Sequence, residues 1–289
     1  IIGILIRPLT GINYLQMNAI LSTSISWPNN LFPEEIIQDV GPQNVSMLMK
    51  TRLLHGHWTG HVYGEGRKLL FHLNMMGVPC GYEVLDTFTP QYIGDLVTWG
   101  AIGARTTESQ VHRQLVSGLS MPVGFKNNSS GDYDIATNAI ISAAHKHCFY
   151  GINKEGGGCI VTTSGNLFCH MILRGSIYST NYDERSVKYA KESMLNKDLS
   201  RQNVMIDCSH GNSGKDYKNQ PIVVSYLCEQ FKKDRDYAIG IMLESNINEG
   251  NQKLIFGEKE KLEYGVSITA VSYTHLRAHE TGRNLVCRL

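Results

Sequence analysis

The chain has 289 residues, of which 42% are hydrophobic and 18% are charged. This composition excludes a disordered chain, a collagen and a coiled coil, and the length suits a single α/β barrel. The formal net charge is only +1, so we expect neither a nucleic acid nor a membrane surface as a partner. The sequence has no run of eighteen apolar residues, so we expect no membrane span.

The seven cysteines are widely spaced and form no Cys-x-x-Cys pair. A disulfide framework and a zinc ribbon are therefore not expected, and a reducing cytoplasm is the predicted location. The first six residues are apolar but lack a basic flank and a small-residue cleavage site. They predict a buried strand rather than a signal peptide.

From residue 78 onward, short apolar runs that end in a polar residue alternate with stretches of helical spacing. The apolar runs cover residues 81–86, 101–105, 122–126, 170–174, 204–210 and 238–244. Helical spacing is found over residues 90–99, 134–144, 184–196 and 220–232. This alternation predicts an α/β fold, and the repeated polar run ends favour a (β/α)8 TIM barrel over an open sheet. Residues 147–152 and 159–163 have no helix between them and predict an inserted β-hairpin.

The polar residues at the run ends suggest a site, because the carboxyl ends of barrel strands converge. Three of them are cations, namely Arg105, Lys126 and Arg174. Burying three like charges together is costly unless an anion is bound, so they predict a phosphate or carboxylate site. The alternative is that each cation caps local carbonyls or pairs with a surface acid. Thr107 and Gln110 form a capping-box pattern that predicts a helix start beside Arg105.

Three further run ends carry Glu83, His210 and Glu244. An imidazole and a carboxylate on successive strand ends suit a divalent metal of intermediate softness, so His210 and Glu244 are candidate ligands. The alternative is a structural His–Glu pair.

Longer motifs resemble one enzyme family. Residues 103–113 read Gly-Ala-Arg-Thr-Thr-Glu-Ser-Gln-Val-His-Arg, and residues 117–127 read Ser-Gly-Leu-Ser-Met-Pro-Val-Gly-Phe-Lys-Asn. Further matching segments are 163–166, 170–175, 205–212, 244–245 and 249–252. Over residues 78–269 the chain resembles class I 3-deoxy-D-arabino-heptulosonate 7-phosphate (DAHP) synthase.

This resemblance implies a metal-dependent (β/α)8 barrel that condenses phosphoenolpyruvate with erythrose 4-phosphate, the first step of the shikimate pathway to aromatic amino acids. By motif, the residues that hold the phosphate and carboxylate of phosphoenolpyruvate are Arg105, Lys126 and Arg174. Glu83 lines the same pocket, and His210 and Glu244 bind the metal, which is Mn, Fe, Co or Zn. The mechanism that the resemblance implies is that a metal would polarise the aldehyde, C3 of phosphoenolpyruvate would attack it, water would add at C2, and phosphate would leave by C–O cleavage.

The chain departs from the family pattern in three places. The early Gly-Pro-Cys-Ser-Ile-His-Asp motif, whose Cys is a metal ligand, is not found. Of the substrate loop Lys-Pro-Arg-Thr-Thr, only Lys50 and Arg52 correspond, as remnants that bind substrate or as two exposed basic residues. The Asp that should follow Ser-Ile-Thr is Ala270, and the next residues resemble a translated sequencing adaptor.

These departures predict three parts. Residues 1–75 form a divergent N-terminal segment in which the first strands are incomplete or altered. Residues 76–269 form the barrel core with strands three to eight, and residues 270–289 form a non-native tail. Two alternatives stay open: a defective fragment that retains only anion or effector binding, and a related synthase that makes an eight-carbon sugar acid. The resemblance also implies an aromatic amino acid effector, bound near Ser120 and the inserted hairpin, and a homo-oligomer.

Overall fold

The computed structural model describes residues 2–6, 18–22, 66–87, 89–153, 157–244, 248–253, 261–264 and 266–267. Within these ranges, no helix is long and apolar enough to cross a membrane. The six cysteines that fall in them are free thiols.

Strands and helices alternate through most of the described chain. The strands are β1 (Ile2–Ile6), β2 (Asn18–Ser22), β3 (Cys80–Glu83), β4 (Trp99–Ile102), β5 (Val123–Lys126), β6 (Cys148–Ile152), β7 (Gly158–Thr162), β8 (His170–Leu173), β9 (Val204–Asp207) and β10 (Gly240–Glu244). The helices are α1 (residues 66–75), α2 (Thr89–Ile93), α3 (Gln110–Val116), α4 (Tyr133–Ala144), α5 (Glu184–Leu195) and α6 (Gln220–Lys233). The α/β class predicted from the sequence is confirmed.

Eight strands close into a barrel in the order β1-β10-β9-β8-β5-β4-β3-β2. The pairs from β2 through β5 and β8 to β10 are parallel, whereas β1 is antiparallel to both β2 and β10. An all-parallel (β/α)8 arrangement is therefore not what the described strands form. The physical reason is the short connection of residues 7–17, because parallel neighbours need a crossover of a dozen residues or more.

Two hydrophobic clusters hold the barrel together. One lies between the strands and the helices, and the smaller one fills the barrel interior with Trp99, Ala101, Ile172, Met205 and Met242. Strands β4, β5, β8 and β9 are buried along their whole length. Covering on both faces explains why they are continuous apolar runs rather than alternating ones.

Glycine is required at one position of the interior. A Cβ on Gly124 would lie 2.4 Å from Cδ1 of Ile172 and 2.8 Å from Nε2 of His170. In the same layer, the indole Nε1 of Trp99 donates a hydrogen bond of 3.2 Å to Nε2 of His170. This buried pair lies at the amino-terminal end of the barrel, opposite the polar strand ends.

The inserted hairpin is confirmed as the antiparallel pair of β6 and β7. It lies between β5 and β8 in the sequence, although those two strands are direct neighbours in the barrel. Its base contacts the end of α3, since Ser117 Oγ and Thr163 Oγ1 are 2.6 Å apart.

Helix boundaries differ from the predictions in two places. The helix predicted over residues 90–99 is only α2 followed by a 3-10 turn over Gly94–Leu96. The predicted capping box is wrong, because the N-cap of α3 is Ser109, whose side chain accepts from His112 N. Thr107 is instead fully buried and donates its hydroxyl to the carbonyls of Gly103 and Lys126. The tertiary hydrogen bonds of Thr107 thus replace the local cap.

Candidate active site

Charged side chains collect at the carboxyl ends of the barrel strands. Glu83, Lys126, Asp207 and Glu244 are the last residues of β3, β5, β9 and β10, and Arg174 directly follows β8. Because the sheet is parallel here, these ends meet at one mouth of the barrel.

Lys126 and Asp207 form a buried ion pair at this mouth. Lys126 Nζ lies 3.1 Å from Asp207 Oδ2, and the two side chains are 5% and 0% exposed. Burial lowers the pKa of Lys126, but the charges of Asp207, Glu244 and Glu83 outweigh it, so the net shift is upward. Burial would raise the pKa of Asp207, but Lys126 and His210 hold it far below its usual range. Lys126 is therefore a permanent cation and Asp207 a permanent anion at neutral pH.

Arg174 is the cation that has no partner among the described residues. The residue is buried, and its guanidinium forms no hydrogen bond or ion pair within the described part of the chain. Burial lowers its pKa, while the more distant charges of Asp207 and Glu244 raise it. A buried guanidinium without a partner is costly, and a bound carboxylate or phosphate would remove that cost.

His210 and Glu244 face one another. Nε2 of His210 lies 3.5 Å from Oε1 of Glu244, and Nδ1 of His210 lies 2.9 Å from Oδ2 of Asp207. A carboxylate can only accept, so Nδ1 carries the proton. The lone pair of Nε2 then points toward Glu244 when the imidazole is neutral.

The spacing of these two side chains fits one metal ion. Two ligand atoms each about 2.1 Å from an ion are about 3.4 Å apart at a tetrahedral angle, close to the observed 3.5 Å. The Asp207–His210 bond and the Ser209–Glu244 bond of 2.9 Å are outer contacts of the kind that orient ligands. No group of three or more His, Cys, Asp or Glu side chains that could hold a metal ion is formed by the described residues.

The backbone of His210 is left-handed, with φ of 51°. A non-glycine residue in this region is uncommon, and such strain clusters at functional sites. Two hydrogen bonds hold the turn: His210 N donates to Ser209 Oγ, and Lys215 N donates to His210 O.

Arg105 lies at the rim rather than inside the mouth. It is exposed, and it forms no contact with another charged side chain among the residues that are described. Its turn is nevertheless fixed to the site, since the Thr107 hydroxyl donates to the Lys126 carbonyl at 2.7 Å. Glu83 lies against the same turn: a Cβ on Gly103 would come within 2.5 Å of its Oε1.

The structure brings together most of the residues predicted from the sequence. Lys126, Arg174, Glu83, His210 and Glu244 lie at one mouth, with Arg105 at its edge. Lys50 and Arg52 lie outside the described residues. The three cations are not buried together without partners as predicted, because Lys126 pairs with Asp207 and Arg105 is exposed.

Sequence reasoning missed Asp207 as a site residue. The signal was present, since Asp207 ends the apolar run Val204-Met205-Ile206 just as Lys126 ends its own. The sequence could not show that the carboxylate of Asp207 pairs with both Lys126 and His210.

The fold and the site together define an α/β barrel protein whose charged side chains meet at one mouth of the barrel. The model of the DAHP synthetase I family matches residues 45–278. The chain belongs to this family.

Named relatives agree with this assignment. The chain is 50% identical over 198 residues to the tyrosine-inhibited phospho-2-dehydro-3-deoxyheptonate aldolase of Candida albicans, covering 68% of this chain and 54% of that protein. It is 51% identical over 203 residues to the Phe-sensitive enzyme of the same name from Escherichia coli K12, covering 70% and 57%. A solved phospho-2-dehydro-3-deoxyheptonate aldolase from Francisella tularensis is similar with a TM-score of 0.74 and 38% identity, covering 90% of this chain and 72% of that one. The chain spans about half the length of these curated relatives.

Proposed function

We propose that this chain condenses phosphoenolpyruvate with erythrose 4-phosphate to give DAHP and phosphate. The observation that carries the proposal is the buried guanidinium of Arg174, which has no partner in the described part of the chain, at the same mouth as Lys126 and the His210–Glu244 pair. Family membership supports the same reaction, because the curated relatives are named for the reverse of this condensation. The mostly parallel sheet would then correspond to the family's (β/α)8 barrel, with residues 76–269 as its core.

The charges of the mouth favour an anionic substrate together with a divalent cation. Three cations (Arg105, Lys126 and Arg174) face three carboxylates (Glu83, Asp207 and Glu244), so the side chains alone are balanced. A divalent metal adds two positive charges, which a phosphorylated carboxylic acid then neutralises.

In this proposal Arg174 and Lys126 bind the phosphate and carboxylate of phosphoenolpyruvate, and Arg105 closes over them from the rim. Asp207 keeps Lys126 in place between turnovers. Holding both anionic groups fixes the direction of the enol carbon relative to the aldehyde, which is the main contribution that positioning residues make.

His210 and Glu244 would hold the divalent metal. When bound, the metal supplies Lewis-acid polarisation of the aldehyde carbonyl. Asp207 fixes the His210 tautomer, and Ser209 holds the second oxygen of Glu244. We propose Mn, Fe, Co or Zn as the metal, because an imidazole and a carboxylate suit a divalent ion of intermediate softness.

Turnover by the purified full chain with Mn²⁺ and both substrates tests the proposal, measured as phosphate release and formation of the seven-carbon product. Arg174→Met should lower kcat/KM by about 10–100-fold, the value of one charge-assisted contact. The matched control is Arg185→Met, because Arg185 is exposed on α5. Absence of product with the unsubstituted chain would refute the reaction, and equal loss in both variants would refute the role of Arg174. Arabinose 5-phosphate in place of erythrose 4-phosphate distinguishes the related eight-carbon sugar acid synthase.

A second candidate is a chain that binds the anion without turnover. The absence of two expected metal ligands favours it: the Cys of the early motif is not found, and Ala270 stands in place of the Asp. Protection of the chain by phosphate against thermal unfolding, with no product at any Mn²⁺ concentration, would identify this case.

We further propose an aromatic amino acid effector, since relatives are named Phe-sensitive and tyrosine-inhibited. The segment that contains Ser120 follows α3, which contacts the hairpin base through Ser117 and Thr163. We also propose a homo-oligomer, because the hairpin residues Tyr150 and Ile160 are exposed; light scattering tests it. We propose a cytoplasmic location, because the six cysteines in the described part of the chain are free thiols.

A further inference from the structure

Arg174 lies one residue beyond the end of β8, where the barrel ladder no longer fixes the backbone. The last backbone link between β5 and β8 is the bond of 3.1 Å from Asn127 N to Ile172 O. The direction of a long side chain depends on its backbone, so something else must hold residues 174 and 175.

Beyond β8, hydrogen bonds from side-chain amides hold the backbone in place of strand pairing. Arg174 N donates to Asn127 Oδ1 at 2.9 Å, and Gly175 N donates to Asn181 Oδ1 at 2.7 Å. Asn127 Nδ2 donates back to Gly175 O at 2.9 Å. The peptide next to Arg174 is therefore held on both edges.

A third asparagine connects these two to the neighbouring strand end. Asn212 Oδ1 accepts from Asn181 N at 2.8 Å, and Asn212 Nδ2 donates to Leu173 O and Asp207 O at 3.1 and 2.9 Å. Asn181 Nδ2 also donates to Asn127 Oδ1 at 3.2 Å. We call Asn127, Asn181 and Asn212 the asparagine network; all three are at most 4% exposed.

The backbone packing leaves no freedom beside the network. Gly175 has φ of 75°, and a Cβ there would lie 2.5 Å from Asn212 N. The carbonyl of Arg174 accepts from Gly211 N and Asn212 N at 2.9 and 3.3 Å. Each amide uses both its donor and its acceptor, a combination that neither Asp nor Ala provides.

We propose that the asparagine network is a positioning device for Arg174, holding its unpartnered guanidinium in the orientation that receives the anionic substrate. This rests on the proposed function for the identity of the ligand, but the positioning of Arg174 is independent of it. The hydrogen bonds of the network run to backbone groups and between its own side chains. The network acts through the backbone on either side of Arg174.

The test compares Asn181→Ala with Asn166→Ala in the full chain. Asn166 is a matched control because it is equally buried and also bridges two backbone groups, Met121 O and Phe168 N, but before β8 at the other end of the barrel. Inorganic phosphate is the first probe. We expect Asn181→Ala to raise its dissociation constant about tenfold, or about 1.4 kcal/mol, and Asn166→Ala to leave it unchanged.

Kinetics with phosphoenolpyruvate give a second measurement. An arginine that binds substrate and transition state alike affects KM more than kcat. We therefore expect Asn181→Ala to raise KM for phosphoenolpyruvate with little change in kcat. Equal effects of the two substitutions on KM, or a loss confined to kcat, would overturn the proposal.

The Nε–Hε NMR signal of Arg174, identified by its absence in Arg174→Lys, needs no ligand. We expect it to shift and broaden in Asn181→Ala and to stay in place in Asn166→Ala. If the unsubstituted chain binds no phosphate, the proposed function fails, and this signal still decides the inference. An unmoved Arg174 signal in Asn181→Ala overturns it, whatever the ligand.

Discussion

Removing the ammonium of Lys126 should destabilise the whole chain. In Lys126→Met, the carboxylate of Asp207 stays buried with no exposed surface and loses its 3.1 Å ion-pair partner. Breaking a buried pair by deleting one partner costs about 3–5 kcal/mol. Asp207 retains His210 Nδ1 and Ser209 N, both at 2.9 Å. We therefore expect the lower end of that range, about 3 kcal/mol.

Removing both charges should cost less than removing one. In the double variant Lys126→Met with Asp207→Asn, no uncompensated carboxylate stays buried. We expect the double variant to be more stable than Lys126→Met alone by about 1–2 kcal/mol, because a buried group without a partner is costly and residues in direct contact are not additive.

Urea unfolding followed by circular dichroism and tryptophan fluorescence measures both effects, provided that the two signals change together. The control is Lys197→Met, because Lys197 pairs with Asp134 at 2.8 Å on the surface. An exposed pair of this kind contributes about 0–1 kcal/mol. A loss in Lys126→Met no larger than in Lys197→Met would refute the reasoning, as would a double variant whose loss equals the sum of the two single ones.

Three further predictions concern the barrel and its helices. Gly124→Ala should destabilise the chain by about 1–3 kcal/mol through overpacking against Ile172, measured by urea unfolding. Burial lowers the pKa of His170 to about 4 from 6.5, so the unfolded chain takes up a proton first. The contribution of His170 to the free energy of unfolding is fully present above pH 6.5 and falls by up to about 3 kcal/mol as the pH drops through 4. Ser109→Ala should cost about 0.5–1 kcal/mol by removing the N-cap of α3.

Each of these has an outcome that contradicts it. Ile172→Val should recover part of the loss in Gly124→Ala, and no recovery would mean that the contact at Ile172 is not its cause. His170→Gln should remove the slope between pH 6.5 and 4; a slope that persists must come from other groups. For α3, a loss in Ser109→Ala above 2 kcal/mol would exceed what a cap provides.

The sequence was informative wherever local pattern decides structure. Strands β3, β4, β5, β8, β9 and β10 were predicted because parallel barrel strands are apolar runs with a polar residue at the end. The same rule identified Lys126, Arg174, His210 and Glu244, since all such ends converge on one mouth. The hairpin followed from two runs without a helix between them.

The remainder depends on tertiary contacts. Ile2 of β1 pairs with Glu244 of β10, a distant partner that no local pattern records. The asparagine network joins Asn127 to Gly175 across 48 positions, which no local pattern records. Thr107 shows how a local pattern can mislead, because its hydroxyl makes buried tertiary hydrogen bonds instead of the predicted helix cap.

The position of β1 has a consequence for synthesis of the chain on the ribosome. One side of β1 pairs with β10, so the ring closes only after Glu244 has been translated. At about 5–20 residues per second, the more than two hundred residues in between take roughly 10–50 s. During that time the edge of β1 that β10 will cover presents unpaired backbone groups, which are a template for association with other nascent chains. The soluble yield of this protein should therefore depend on what covers that edge before the barrel closes.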